Sequence, residues 1–222
     1  MIIKFLSLNV TKKLKYLINK PSSHQKNLKI VFLLHGYGSN EEDLYSLKEF
    51  FPSNYITISL RAPISIGLDS YAWYSINFEN DIDRWIDTDE AISSKNIIIS
   101  DILLHLKDLA FTNERVSLLG FSQGAILSWS IGIERPNLIK NIFPLSGFYH
   151  SEITETNLNQ KFRLNSFSTH GINDQVIPVD WARRGIQSLI KYNINVEFKE
   201  YESGHEINNE NLRDVIEWLV KN

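Results

Sequence analysis

The sequence predicts an α/β fold: a mostly parallel central sheet with helices on both faces, an N-terminal antiparallel hairpin and no large lid. Three observations predict it. Short, almost unbroken apolar runs recur along the chain, as in strands buried on both faces. Helical patterns with polar starts separate those runs, and such alternation implies right-handed crossovers between parallel strands. No repeat, low-complexity tract or linker interrupts the 222 residues, so a single domain over 1–222 is expected.

Ile2–Val10 and Leu14–Asn19 are apolar at alternate positions and flank Thr11-Lys12-Lys13, a pattern that suits a hairpin at a sheet edge. Leu28–His35 is apolar almost throughout and reads as a central strand. Similar runs follow at Tyr55–Leu60, Val116–Leu119, Ile139–Leu145, Phe167–His170 and Ile194–Tyr201. Between them, Glu41–Phe50 follows a Ser39-Asn40 cap, and Asp89–Ala110 opens with acidic residues that suit a helix N-terminus. Gln123–Glu134 stops before Pro136, Trp181–Lys191 is basic on one side, and Glu210–Val220 closes the chain. Ala62–Trp85 is aromatic and rich in turn residues, and a loop of that length is usually functional. Ser151–Arg163 is polar and short, too small for a helical lid.

Composition narrows the function classes. Hydrophobic residues make up 43% and charged residues 22%, which excludes a disordered or fibrous chain. A net charge of −3 gives no generic grip on nucleic acid or anionic lipid, and no apolar run is long enough to span a membrane. The absence of cysteine excludes disulfides, thiolate metal sites and cysteine nucleophiles. The start, MIIKFLSLNVTKK, lacks the layout of a secretion signal, so a cytoplasmic protein is expected. The acidic run Glu79–Glu90 lacks the glycine a calcium loop needs and reads as a solvated loop and helix cap.

Chemistry concentrates in Gly120-Phe121-Ser122-Gln123-Gly124, between a strand and a helix. A serine on so sharp a turn needs small neighbours two residues before and after it, and the turn exposes its hydroxyl at the carboxyl end of the sheet. Such a serine needs a base, and the base needs an orienting carboxylate. Asp174 and His205 each lie just beyond a strand, at the same end of a parallel sheet as Ser122. Asp180 is a competitor, but its position explains it as a helix cap. Of the other histidines, His24 and His105 read as solvated or on a helix face, and His150 as part of a polar loop. His170 reads as a turn residue before Gly171, and His35 as the end of a buried strand. Two backbone donors are expected for an oxyanion: the N–H of Gln123, and that of Tyr37 in His35-Gly36-Tyr37-Gly38.

Six segments carry a family resemblance: LLHGYGSNEEDL (33–44), RAPISIGLDSYAWYSI (61–76), LLGFSQGAIL (118–127), PLSGF (144–148), HGINDQVIPV (170–179) and SGHEI (203–207). Spread over almost the whole chain, they resemble the phospholipase/carboxylesterase family of α/β hydrolases, which includes acyl-protein thioesterases. The SNEEDL stretch after HGYG is similar to that of bacterial esterases. The resemblance implies an α/β-hydrolase fold, a triad at Ser122, Asp174 and His205, oxyanion donors at Tyr37 and Gln123, no cofactor and no metal. The expected activity is a serine carboxylesterase cleaving short- to medium-chain acyl esters of small molecules. Thioester or lysophospholipid hydrolysis on the same site is the alternative, and a non-catalytic ligand-binding protein is the reading from another class. The acyl pocket is expected from Trp73, Tyr74, Phe148 and Ile177, with Leu68 nearby. Trp73 and Tyr74 equally suit pinning a long loop to the core. Apolar helix faces are compatible with a homodimer, without an interface signature.

Overall fold

In a computed structural model of the chain, residues 13–21, 26–77, 86–111, 115–155, 164–191, 194 and 196–222 are described. The strands are β1 (Tyr16–Asn19), β2 (Lys29–Leu34), β3 (Tyr55–Leu60), β4 (Ile64–Gly67), β5 (Ser70–Ala72), β6 (Val116–Phe121), β7 (Ile139–Leu145), β8 (Asn165–Gly171) and β9 (Glu197–Tyr201). The α-helices are α1 (Glu41–Tyr45), α2 (Thr88–Asp108), α3 (Gln123–Glu134), α4 (Val179–Lys191) and α5 (Asn209–Lys221).

Among the described residues, seven strands hydrogen-bond in the order β1-β3-β2-β6-β7-β8-β9. β1 runs antiparallel to β3, with Tyr16 opposite Leu60, and the other pairings are parallel. The order reverses direction at β2 and β6, where an open α/β sheet forms a crevice at its carboxyl edge. The period-two alternation of a strand divides the core between two faces. Ile30, Phe32 and Leu34 of β2 pack with residues of α2, α3 and α4, whereas Val31 and Leu33 pack with Leu44 of α1 and with Val215 and Leu219 of α5. Each fully buried Leu, Ile or Phe in these clusters contributes about 1.5–3 kcal/mol.

The buried face of α2 also holds Lys95, whose ammonium reaches Glu134 of α3 at 2.6 Å, the Ile153 carbonyl at 2.8 Å and Glu155 at 3.2 Å. That cluster fastens the segment after β7 to the helical layer.

Several expectations are revised. Ile2–Val10, the first half of the expected N-terminal hairpin, lies outside the described residues, and among the described strands β1 pairs with β3. A hairpin does form, but between β4 and β5, within the stretch read as a loop. Its strands are too short, and too exposed on β4, to announce themselves by alternation. Glu41–Phe50 is one turn of α-helix followed by a 3₁₀ turn over Ser46–Phe50. Ile194 is buried but precedes β9 rather than belonging to it. The capping expected of the acidic run is provided by Asp87, whose side chain accepts from the Glu90 N–H at the start of α2.

Candidate active site

β6 ends at Phe121 and α3 begins at Gln123, so Ser122 alone makes the corner, at φ 55° and ψ −115°. That backbone is costly for a residue with a Cβ, about 1–3 kcal/mol, and persists because its surroundings leave no alternative. A Cβ on Gly120 would stand 2.2 Å from the Gly124 carbonyl oxygen, and one on Gly124 would stand 2.0 Å from that of Leu34. Real side chains do not approach so closely, so both glycines are required for α3 to pack against the strands that present Ser122.

His205 reaches this corner from the loop after β9. Its Nε2 is 3.0 Å from Ser122 Oγ, and its Nδ1 is 2.7 Å from Asp174 Oδ2. The other carboxylate oxygen, Asp174 Oδ1, accepts the Val176 and Ile177 N–H groups at 2.8 and 2.9 Å, which orients the carboxylate. Burial would raise the Asp174 pKa, but hydrogen bonds from His170, His205 and the Ile177 N–H prevail and hold it well below the usual carboxylate range. An ionised oxygen beside Nδ1 places the ring proton there, which leaves Nε2 as the acceptor facing the serine hydroxyl.

His170, which reads as a turn residue in the sequence, belongs to this assembly. It lies in β8, fully buried, with Nε2 2.8 Å from the Ile177 carbonyl and 3.3 Å from Asp174 Oδ2. Both neighbours only accept, so Nε2 carries hydrogen and the ring braces the loop that carries Asp174. Its place at the carboxyl end of a buried strand, four residues before Asp174, is the signal that could have found it.

The loop after β2 lies against the same corner. A Cβ on Gly36 would stand 3.2 Å from Ser122 Cβ, which brings the Gly36–Tyr37 peptide alongside the serine. Gly38 donates to the Tyr71 carbonyl and Tyr71 to that of Ser39, both at 2.9 Å, so the β4–β5 hairpin supports this loop. Gln123 contributes a first-turn backbone N–H at the start of α3, where helix geometry supplies no intrahelical acceptor. Its buried side chain accepts the Trp73 N–H at 2.9 Å and donates to the Tyr74 carbonyl at 2.6 Å.

The expected pocket residues separate into distinct groups. Leu68 sits at the turn between β4 and β5, fully exposed, and packs on nothing that could form a pocket wall. Trp73 and Tyr74 are wholly buried members of the core and fasten the segment after β5, which favours the pinning role over a pocket lining. Phe148 is buried and meets Trp181 edge-on at 5.4 Å. Ile177 is buried beside Asp174, held by its own N–H. A groove of about 850 Å³ lies at the other end of the sheet, among Asn165, Glu197, Lys199, Asp214 and Trp218, and is no part of this site.

Other expectations change with burial. His105 packs edge-on against Tyr16 at 4.4 Å and is buried rather than solvated, and His150 is buried as well. His24 lies outside the described residues. Asp180 occupies the first turn of α4, at the start of the helix as expected, and pairs with Arg183 at 2.8 Å. Among the described residues, no group of three or more His, Asp or Glu side chains is placed to hold a metal ion. None of the described helices is long and apolar enough to cross a membrane. A hydroxyl, an imidazole and a carboxylate in line can perform nucleophilic acyl transfer without further groups.

Comparison with known proteins agrees with this chemistry. A sequence model of the phospholipase/carboxylesterase family matches residues 17–222. Acyl-protein thioesterase 1 of Kluyveromyces lactis is 25% identical over 219 residues, covering 90% of this chain and 94% of that protein. Among solved structures, esterase PE8 superposes with a TM-score of 0.81 at 23% identity, covering 95% of this chain and 99% of the esterase. The Bacillus cereus carboxylesterase superposes with a TM-score of 0.78 at 19% identity, covering 96% and 95%. These two likenesses establish the α/β-hydrolase fold.

Proposed function

The chain belongs to the phospholipase/carboxylesterase family of α/β hydrolases, and from that premise we propose that it is a serine carboxylesterase. The observation that carries the reading is the His205 ring, which stands within hydrogen-bond reach of Ser122 on one side and Asp174 on the other. In this mechanism His205 Nε2 takes the Ser122 proton as Oγ attacks the ester carbonyl. Asp174 holds the ring and stabilises the imidazolium that forms. The N–H groups of Tyr37 and Gln123 receive the oxyanion, each worth about 3 kcal/mol. His205 then protonates the departing alkoxide, leaving an acyl group on Oγ. Water repeats the sequence: it loses a proton to His205, attacks the acyl carbonyl and releases the carboxylic acid with Ser122 restored. No cofactor or metal takes part, and the substrate is a small acyl ester of short to medium chain.

Acyl thioester hydrolysis is the second reading, because relatives along nearly the whole chain are named acyl-protein thioesterases. The same steps apply with a thiolate as leaving group. Turnover of p-nitrophenyl esters from acetate to palmitate, run beside an acyl-thioester series, tests the pair. A short-chain ester optimum supports the carboxylesterase, and a long-chain thioester optimum replaces it with the thioesterase. Ser122→Ala should lower turnover by about 10⁴–10⁶-fold on either substrate. Retention of a tenth of the wild-type rate would sink both.

A further inference from the structure

We infer that His35 is a positioning residue for the oxyanion site: a neutral imidazole that sets the peptide plane carrying the Tyr37 N–H. The inference rests on the acyl-transfer reading and adds to it a residue that the mechanism above does not use.

His35 follows β2 directly and is fully buried. Its Nδ1 is 2.7 Å from the Gly36 carbonyl, which can only accept, so Nδ1 carries hydrogen. Its Nε2 receives the Ala62 N–H at 3.0 Å, so that nitrogen is bare. The two contacts together allow one neutral tautomer, because a second ring proton would point at the Ala62 N–H. Burial also pushes the His35 pKa down, outweighing the Gly36 hydrogen bond that raises it.

The consequence lies in the next peptide. The Gly36–Tyr37 bond is trans, so its C=O and N–H point in opposite directions. A ring that holds the Gly36 oxygen on one side therefore aims the Tyr37 N–H to the other, in a loop whose Gly36 lies against Ser122. Donation to the carbonyl also polarises that peptide and strengthens its N–H as a donor.

His35 is tied to the second proposed donor as well. Its own carbonyl accepts the Trp73 indole N–H at 2.9 Å, and the Trp73 backbone N–H reaches the Gln123 side chain at 2.9 Å. An unbroken buried network thus runs from Gln123 through Trp73 and His35 to the Gly36–Tyr37 peptide. Both proposed oxyanion donors are thereby tied to one another through buried side chains.

Two substitutions separate positioning from simple core support. In His35→Asn the amide nitrogen falls near the Nδ1 position and keeps a donor for Gly36. In His35→Gln the amide oxygen reaches the Nε2 position, so the Ala62 contact survives while the Gly36 donor is lost. His35→Asn should keep kcat within about tenfold of wild type, and His35→Gln should lose about 10²-fold in kcat with KM unchanged. Equal kcat in the two variants would overturn the inference.

Nitrogen-15 NMR of the wild-type ring needs no variant to fold. A neutral ring protonated at Nδ1 is expected at neutral pH, and a cationic or Nε2-protonated ring would overturn the assignment. Labelling of Ser122 by a fluorophosphonate keeps the two levels apart. A wild type that is neither labelled nor active defeats the acyl-transfer reading and this inference with it. A labelled, active wild type whose Asn and Gln variants match defeats the inference alone.

Discussion

Asp174→Asn removes one charge while preserving shape, and the hydrogen bonds of the wild type dictate its effect. Oδ1 faces two backbone N–H groups, from Val176 and Ile177, so the amide oxygen of asparagine must occupy that position. The amide nitrogen then occupies the Oδ2 position, 2.7 Å from His205 Nδ1 and 3.3 Å from His170 Nε2. A donor there expels the proton from Nδ1, and His205 shifts to the tautomer with hydrogen on Nε2. That hydrogen points at Ser122 Oγ, 3.0 Å away, so the ring can no longer accept the serine proton. Where a triad is left in the wrong tautomer, kcat falls by about 10⁴, equivalent to about 5.5 kcal/mol of lost transition-state stabilisation. The assay is hydrolysis of a p-nitrophenyl ester at neutral pH, with fluorophosphonate labelling of Ser122 expected to slow in parallel. Retention of more than a tenth of wild-type kcat in a folded variant would refute the assignment of Asp174. The same variant carries a stability signature. Because the folded state holds the Asp174 pKa below its unfolded value of about 3.9, its contribution is complete above that value and fades as pH falls through it. The stability gap between wild type and Asp174→Asn, measured by urea unfolding, should therefore narrow between about pH 5 and pH 2. A gap that widens on acidification would contradict the depressed pKa.

Two further outcomes follow from the packing. Ser122→Gly should abolish turnover yet raise unfolding stability by about 1 kcal/mol, since glycine adopts φ 55° without the steric cost that serine bears. Chemical denaturation reads this directly, and a less stable variant would show that the corner is unstrained. Lys95→Met should cost about 3–5 kcal/mol, because it leaves Glu134, 5% exposed, as a buried charge without its ammonium. Adding Glu134→Gln should restore part of that loss, and a double-mutant cycle with no coupling would refute the pairing.

Much of the architecture was legible because it rests on local pattern. β3 and β7 begin and end where their apolar runs do, and β2 and β6 lie within a few residues of theirs. The same holds for α2, α3 and α5, whose starts and stops are marked by acidic residues, a nearby proline or the end of the amphipathic pattern. The order Ser122, Asp174, His205 was likewise readable, since a parallel sheet delivers residues that follow its strands to one edge. The β4–β5 hairpin was not readable, because a strand of three residues paired with one of four has too little alternation to stand out from a loop.

Burial of polar side chains is the part that pattern could not supply. His150 and His170 read as loop and turn residues and His105 as solvated or on a helix face, yet all three side chains are buried. Trp73 and Tyr74 suited a pocket or a pin equally well. The Gln123 amide and the His35 carbonyl, 50 and 38 residues away from Trp73, place both in the core. Leu68 illustrates the converse, an apolar residue among pocket candidates that a two-residue turn holds out in solvent. Composition and spacing sufficed for the sheet, the strained serine corner and the residues at its edge, because each depends on neighbours a few positions away. The tautomers of His35, His170 and His205 depended on the folded chain. A ring nitrogen's proton is assigned by the acceptor facing it, and those acceptors come together only when strands far apart in sequence lie side by side.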